Sequence, residues 1–336
     1  MTPECLSSAP IENLVRRAAL AKALRDFFDN RGFVEVQTPI LSRFSVIDRH
    51  LDPIRIEARS VGVNDDHSWY LQTSPEQSMK RLLASGLGSC YQLGSVFRSS
   101  EFGQFHNPEF TMAEWYDVQA DLDGGLELLD ALLQRLLDTP TAEHIRFAQA
   151  FEQATSMKLF DCDLLTLAEW SLDHKLIDRA DWSDDWDDWV NLIFSMVVQP
   201  SLGMKRPVIV THFPATQAAL AKLDPHDPRT AERFEAFYLG VELANGYHEL
   251  CDPDELARRA SDAARDPQLL RLRSWVRSSG HARLQRIRTP RSDSLSRRSR
   301  LEPLGICNPC AILSETVLGE TVLVLDGCWN CCDADR

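Results

Sequence analysis

Phe97–Tyr116 reads FRSSEFGQFHNPEFTMAEWY, and no other twenty residues of the chain combine an arginine, three carboxylates, a His-Asn pair and alternating aromatics. Aromatic residues favour strands, while Gly103, Asn107 and Pro108 mark a turn. The stretch therefore predicts a strand ending near Arg98, a loop, and a return strand over Phe110–Tyr116. Such a hairpin can aim Arg98 and Glu109 or Glu114 into one cleft. A hairpin whose loop charges are merely solvated is the plain alternative.

Elements of similar clarity lie on both sides. Ile11, Leu14, Val15, Ala18, Leu24 and Phe28 follow a helical period behind Pro10, so an amphipathic helix is predicted to end before Gly32. Phe33–Leu41, within GFVEVQTPIL, alternates as a strand and closes at Thr38-Pro39. In YLQTSPEQSMKRLL, Tyr70–Leu83, a helix should begin at Ser74, with Ser74 able to cap and Pro75 and Glu76 suited to the first turn. Leu126, Leu129, Leu132, Leu133, Leu136 and Leu137 predict a further helix, preceded by Gly124-Gly125 and followed by Thr139-Pro140. DWSDDWDDW, Asp181–Trp189, lacks the glycine of a calcium loop and reads as a solvated helix face. Val208–Phe213 and Phe234–Asn245 read as strands. The fold class expected is α+β, an antiparallel sheet flanked by helices.

A chain of 336 residues can bury a large core. Without a long apolar run or an apolar leader behind positive charges, it is expected in the cytoplasm. Its net charge of −14 is unevenly spread. Residues 1–257 hold 22 basic against 41 acidic groups, a balance of −19, and residues 258–336 hold 14 against 9, a balance of +5. So acidic a body exerts no general pull on phosphate backbones, which disfavours tRNA as a partner.

Four passages, in the expected order, carry a resemblance to class II aminoacyl-tRNA synthetases of the lysyl type. Gly32–Leu41 resembles motif 1, Tyr70–Leu83 the substrate-binding Thr-Ser-Pro-Glu and its helix, Phe97–Tyr116 motif 2, and GVELANGYHEL, Gly240–Leu250, the acidic strand of metal, ATP and substrate contacts. The match is nearest to the short branch without an anticodon-binding domain, whose members ligate lysine to elongation factor P. The resemblance implies a class II catalytic domain over residues 1–255, and a homodimer through motif 1. The activity it implies is activation of lysine or β-lysine with ATP and Mg2+, then transfer to a lysine side chain of elongation factor P. A short lysyl-tRNA synthetase and a catalytically degenerate paralogue are the other readings.

The resemblance also assigns roles residue by residue. Arg98 and Glu242 are the implied catalytic groups. Arg98, Ser99, Ser100, Asn107, Glu242 and Leu243 match ATP contacts, with Glu242 also the Mg2+ position. Ser74, Pro75, Glu76, Tyr116 and Glu249 match the positions that bind the amino acid. Arginine suits the α-phosphate because its planar fork can give one phosphate two charged hydrogen bonds. A carboxylate that meets the substrate's ammonium rejects uncharged analogues, which would leave it unpaired. No Gly-rich phosphate loop is present, so side chains would have to hold ATP. His106 and His248 flank these positions and are read as structural.

Two departures stand out. Motif 2 usually runs Phe-Arg-x-Glu, and here Ser100 takes the glutamate's place, which touches adenine recognition. Motif 3, Gly-x-Asp-Arg or Gly-x-Glu-Arg, has no match after Leu250. Instead residues 258–300 carry thirteen arginines and no lysine, and five of the nine cysteines crowd into the last thirty residues. The tail, 256–336, is thus open to reading as the product of a late frameshift, as disorder, or as a zinc site. Cys307, Cys310, Cys328 and Cys331 form C-x2-C-x17-C-x2-C, a spacing that suits four thiolates. The loss of motif 3 is also expected to leave a sheet edge with unpaired backbone groups.

Overall fold

Residues 9–43, 52–62, 68–99, 107–118, 120–263 and 307–312 are described by the computed structural model. Ser100, Glu101, His106, Cys328 and Cys331 lie outside them. Two compact units emerge, one of Met1–Gln119 with Cys251–Leu304 and Cys310–Arg336, the other of Ala120–Leu250 with Gly305–Pro309.

The first unit opens with helix α1, Ile11–Asp29, which buries Leu24, Phe27 and Phe28. The motif 1 passage contributes less strand than its alternation predicts, only β1, Val34–Glu35, and β2, Leu41–Ser42. Pro39 accounts for the gap, since it has no N–H to give to a ladder. Then come β3, Arg55–Ile56, and β4, Trp69–Leu71, helix α2, Glu76–Ala84, and the two long strands β5, Cys90–Phe97, and β6, Glu109–Tyr116. β1 lies parallel to β5, and β5 pairs antiparallel with β6 from Cys90↔Tyr116 to Phe97↔Glu109. β2, β4 and β3 form a separate small antiparallel sheet. The packing is aromatic: the ring of Phe28, 0% exposed, stacks 4.8 Å from Tyr91 and lies 5.1 Å from Trp115 and 5.2 Å from Phe33. Burying a ring of this size contributes about 2–3 kcal/mol.

The second unit begins with helix α3, Leu122–Leu137, capped by Asp121, whose side chain accepts the Gly124 N–H. Gly124 and Gly125 thus sit inside the first turn, not ahead of it, because the aspartate cap outweighs glycine's weak helix propensity. Strand β7, Glu143–Arg146, is followed by α4, Phe147–Thr155, α5, Leu164–Asp173, and α6, Trp186–Ile193. The acidic–aromatic run resolves into α6 and its cap: Asp185 accepts the Asp187 N–H, and Trp189 is buried. Strands β8, Val208–Pro214, β9, Thr230–Tyr238, and β10, Val241–His248, form an antiparallel sheet, with β7 parallel to the outer edge of β8. Phe147, Phe151, Trp189, Ile193, Val210 and Phe237 lie in its core.

After β10 the chain forms helix α7, Pro253–Ala263, and strand β11, Cys307–Ile312. Cys310–Ile312 pairs antiparallel with Glu114–Met112 of β6. The expected open edge is therefore covered at that register, by the tail itself. Among the described residues no helix is long and apolar enough to cross a membrane.

Candidate active site

Ser74 stands at the turn into α2. Its Oγ accepts the Glu76 N–H at 3.0 Å, which satisfies an orphan donor of the helix start, and the same hydroxyl donates to Glu114 Oε2 at 2.6 Å. Glu114 and Tyr116 are two residues apart on β6, so they share a face of the strand, and the Tyr116 hydroxyl donates to Glu114 Oε1 at 3.0 Å. On α2, one turn apart, Lys80 and Glu76 form a buried ion pair. Five polar side chains therefore meet within one unit, with Glu76, Lys80, Glu114 and Tyr116 all buried. Thr73, one residue before Ser74, adds a buried hydroxyl that has no partner among the described residues.

Burial is the main influence on Glu114. Desolvation pushes its carboxyl up to about 8, the nearby Glu76 adds to the rise, and the Ser74 and Tyr116 hydrogen bonds and Lys80 oppose it. Such a group is proton-bound near neutrality, and a cation placed beside it would draw it into its charged form. The same surroundings suppress Cys90: its thiol, 0% exposed, is pushed up to about 12 by burial and by Glu114, so it is no nucleophile.

Arg98 follows β5 directly. Its N–H donates to the Pro108 carbonyl at 2.9 Å, which closes the hairpin ends, and its guanidinium lies 5.0 Å from the centre of the Phe110 ring. An aromatic face beneath a guanidinium fixes the plane of its fork. The Ser99 N–H is bonded to the Asp52 carbonyl at 2.8 Å, and Asn107, half-buried, stands just before the return strand.

Three further predicted residues belong to the second unit. Glu242, Leu243 and Glu249 lie on or just after β10. The β9–β10 register slips between Glu242 and Ala244, which makes Leu243 the extra residue of a bulge and re-aims the strand at that point. Glu249 is buried and pairs with Ala221 in an antiparallel bridge. His248, on the neighbouring position, is engaged through both ring nitrogens. Among the described residues no three His, Cys, Asp or Glu side chains converge as a metal cage.

Glu114 is the residue that sequence reasoning did not place in the substrate set. It was visible only as one of three carboxylates on the hairpin, and its distinguishing property, complete burial between Ser74 and Tyr116, arises from the β5–β6 pairing and the placement of α2.

Known proteins of similar sequence identify the family. Residues 5–271 match the family described as tRNA synthetases class II (D, K and N). The chain is 44% identical over 252 residues to the elongation factor P--(R)-beta-lysine ligase of Yersinia enterocolitica, covering 75% of this chain and 78% of that protein. It is 45% identical over 248 residues to the protein of the same name in Klebsiella pneumoniae, covering 74% and 76%. The Edwardsiella ictaluri protein of that name is 44% identical over 252 residues, covering 75% and 78%. With the hairpin, the Thr-Ser-Pro-Glu helix start and the acidic β10 strand all present, the chain belongs to the class II tRNA synthetase family.

Proposed function

We propose that this protein activates lysine or β-lysine with ATP and transfers the acyl group to a lysine side chain of elongation factor P. The observation that carries the reading is the buried set of Ser74, Glu76, Lys80, Glu114 and Tyr116, a polar cluster in which burial raises one carboxyl to about 8. An incoming ammonium would convert Glu114 to its carboxylate, so binding is coupled to loss of a proton, and uncharged analogues gain nothing from it. Ser74, Glu76 and Tyr116 orient the amino acid, and Glu249 receives the substrate's other ammonium.

Arg98 meets the α-phosphate as the substrate carboxylate attacks it and pyrophosphate leaves. Its charge is needed where the negative charge develops, and stacking on Phe110 holds it there. Ser99, Ser100 and Asn107 contact the nucleotide. Glu242, with the bulged Leu243 backbone, is the Mg2+ and ATP position. One carboxylate suits Mg2+ only when phosphate oxygens complete its shell, as is usual for nucleotide-bound magnesium. The metal would supply charge neutralisation at the phosphates. The acceptor amine then attacks the mixed anhydride and AMP leaves.

A homodimer in the cytoplasm is part of the same reading. Ile11 and Val15 of α1, with Val34 and Ile40 of the motif 1 passage, are 68%, 64%, 47% and 40% exposed, and apolar groups so placed suit a partner surface.

The test is transfer of radiolabelled lysine or β-lysine from ATP-dependent activation onto purified elongation factor P or onto tRNA. Label on elongation factor P is expected, and its loss with Arg98→Ala by about a hundredfold or more. Label on tRNA alone would replace this reading with a short lysyl-tRNA synthetase, and label on neither with the degenerate paralogue.

A further inference from the structure

The β9–β10 ladder runs only as far as Tyr247↔Arg233. Beyond it the strands part, and residues 220–223 enter the gap. The Lys222 N–H donates to the His248 carbonyl at 2.9 Å while the Lys222 carbonyl accepts the Glu232 N–H at 2.8 Å. Leu250 N–H donates to the Leu220 carbonyl at 2.8 Å, and the bridges Ala221↔Glu249 and Leu223↔Ala231 complete the insertion.

Side chains repeat the same connection. His248 Nδ1–H donates to Glu232 Oε2 at 2.6 Å, and Lys222 Nζ donates to His248 Nε2 at 2.7 Å. An ammonium has no lone pair to offer, so Nε2 must be the bare nitrogen and Nδ1 the protonated one; the two neighbours thereby fix the tautomer and the ring plane. Lys222 is tied to His248 twice, by main chain and by side chain, and Glu232 likewise meets both partners.

The His248 and Glu232 side chains are only 11% and 17% exposed. A charged chain so far out of water is a demanding way to hold a strand end that apolar packing could hold as well. What it provides instead is direction. Adjacent residues of an extended segment point to opposite faces, so a ring clamped at both nitrogens on one face sets the angle of the carboxylate that follows on the other.

We propose that Lys222, His248 and Glu232 are positioning residues for Glu249 and so determine the preference for an amine-bearing substrate. The inference rests on the reading in which Glu249 receives the substrate's ammonium.

Calorimetric titration of the full chain with L-lysine, and separately with ATP and Mg2+, tests it. Lys222→Met and His248→Ala are expected to raise the lysine Kd about tenfold, the worth of one hydrogen bond to a charged group, while the ATP Kd moves less than about threefold. Lys222→Arg, which can still donate to Nε2, should stay within about threefold of the unaltered protein. Should either truncation fail to fold, Glu232→Met, which keeps the length but removes the acceptor of Nδ1–H, carries the same comparison. Unchanged lysine affinity in the folded variants overturns the proposal, and so does an equal loss of lysine and ATP affinity, which marks general damage. Glu249→Gln is the control for the underlying reading. If it leaves the lysine Kd unaltered, Glu249 does not meet the ammonium and both inferences fall; if it weakens lysine while the three variants do not, only this one does.

Discussion

Glu114 shows how one side chain can tie stability to ligand chemistry. Its carboxyl ordinarily titrates near 4.5 and is raised to about 8 in the fold, so the folded protein holds this proton more tightly than the unfolded chain. A raised value means that the stabilising contribution is complete below about pH 4.5 and is lost as pH climbs towards 8. The slope is at most about 1.4 kcal/mol for each pH unit crossed. Glu114→Gln keeps the shape, can accept from one of the two hydroxyls through its carbonyl oxygen and donate to the other through its amide, and has no proton to lose. Urea unfolding at several pH values between about 5 and 8 should therefore show a steeper fall for the unaltered protein than for the variant. Parallel lines would mean that Glu114 is ionised throughout.

At the scale of the element, the turn between β9 and β10 depends on a residue outside both strands. Gly203 has φ +71°, and its carbonyl accepts the Leu239 N–H at 3.1 Å while the Gly240 N–H reaches the Leu202 carbonyl at 2.9 Å. A Cβ at Gly203 would stand 2.6 Å from the Phe237 carbonyl oxygen and 2.7 Å from the Tyr238 Cα. Both atoms are backbone of β9, so neither can step aside cheaply. Gly203→Ala is expected to cost about 2 kcal/mol or more, from the positive φ together with the clash. Thermal unfolding measures it, and a midpoint equal to that of the unaltered protein would mean the turn relaxes freely. Since this hairpin carries Glu242 and leads into Glu249, the residues proposed to meet the ligands, the same change should weaken substrate binding in whatever protein remains folded.

On the scale of the molecule, the anomalous tail contributes a strand, in which Cys310–Ile312 pairs with β6. β6 carries Glu114 and Tyr116, so the strand that closes its edge supports the proposed substrate pocket. Removing residues 305–336 should speed hydrogen exchange of the amides in Met112–Glu114 by about tenfold or more, with Ile209 and Val210 of β8 as an unchanged reference. Equal protection in the two proteins would show that β6 needs no cover there. The charge imbalance acts at this scale too: a body with a balance of −19 attracts cationic rather than phosphate-rich surfaces, and its associations should weaken as salt is added.

Much of the architecture was legible because it is local. The spacing of apolar residues in α1 and α3, the turn residues around Asn107 and Pro108, and the β-branched and aromatic residues of β6 and β8 each report neighbours a few positions away, and these elements formed where that pattern placed them. Ordered motifs likewise identified the family, since residue identity and order are properties of the chain alone. What the sequence could not express is whatever depends on strands and helices distant along it. The buried contact of Ser74 with Glu114, forty residues apart, turns an ordinary glutamate into a proton-bound one. Pairing of the tail strand with β6 and the insertion of Lys222 beside His248 are equally invisible to local pattern. Sequence determined which elements form and to which family the chain belongs; tertiary structure alone decided which polar groups lose their water, because desolvation depends on everything that surrounds a group in space.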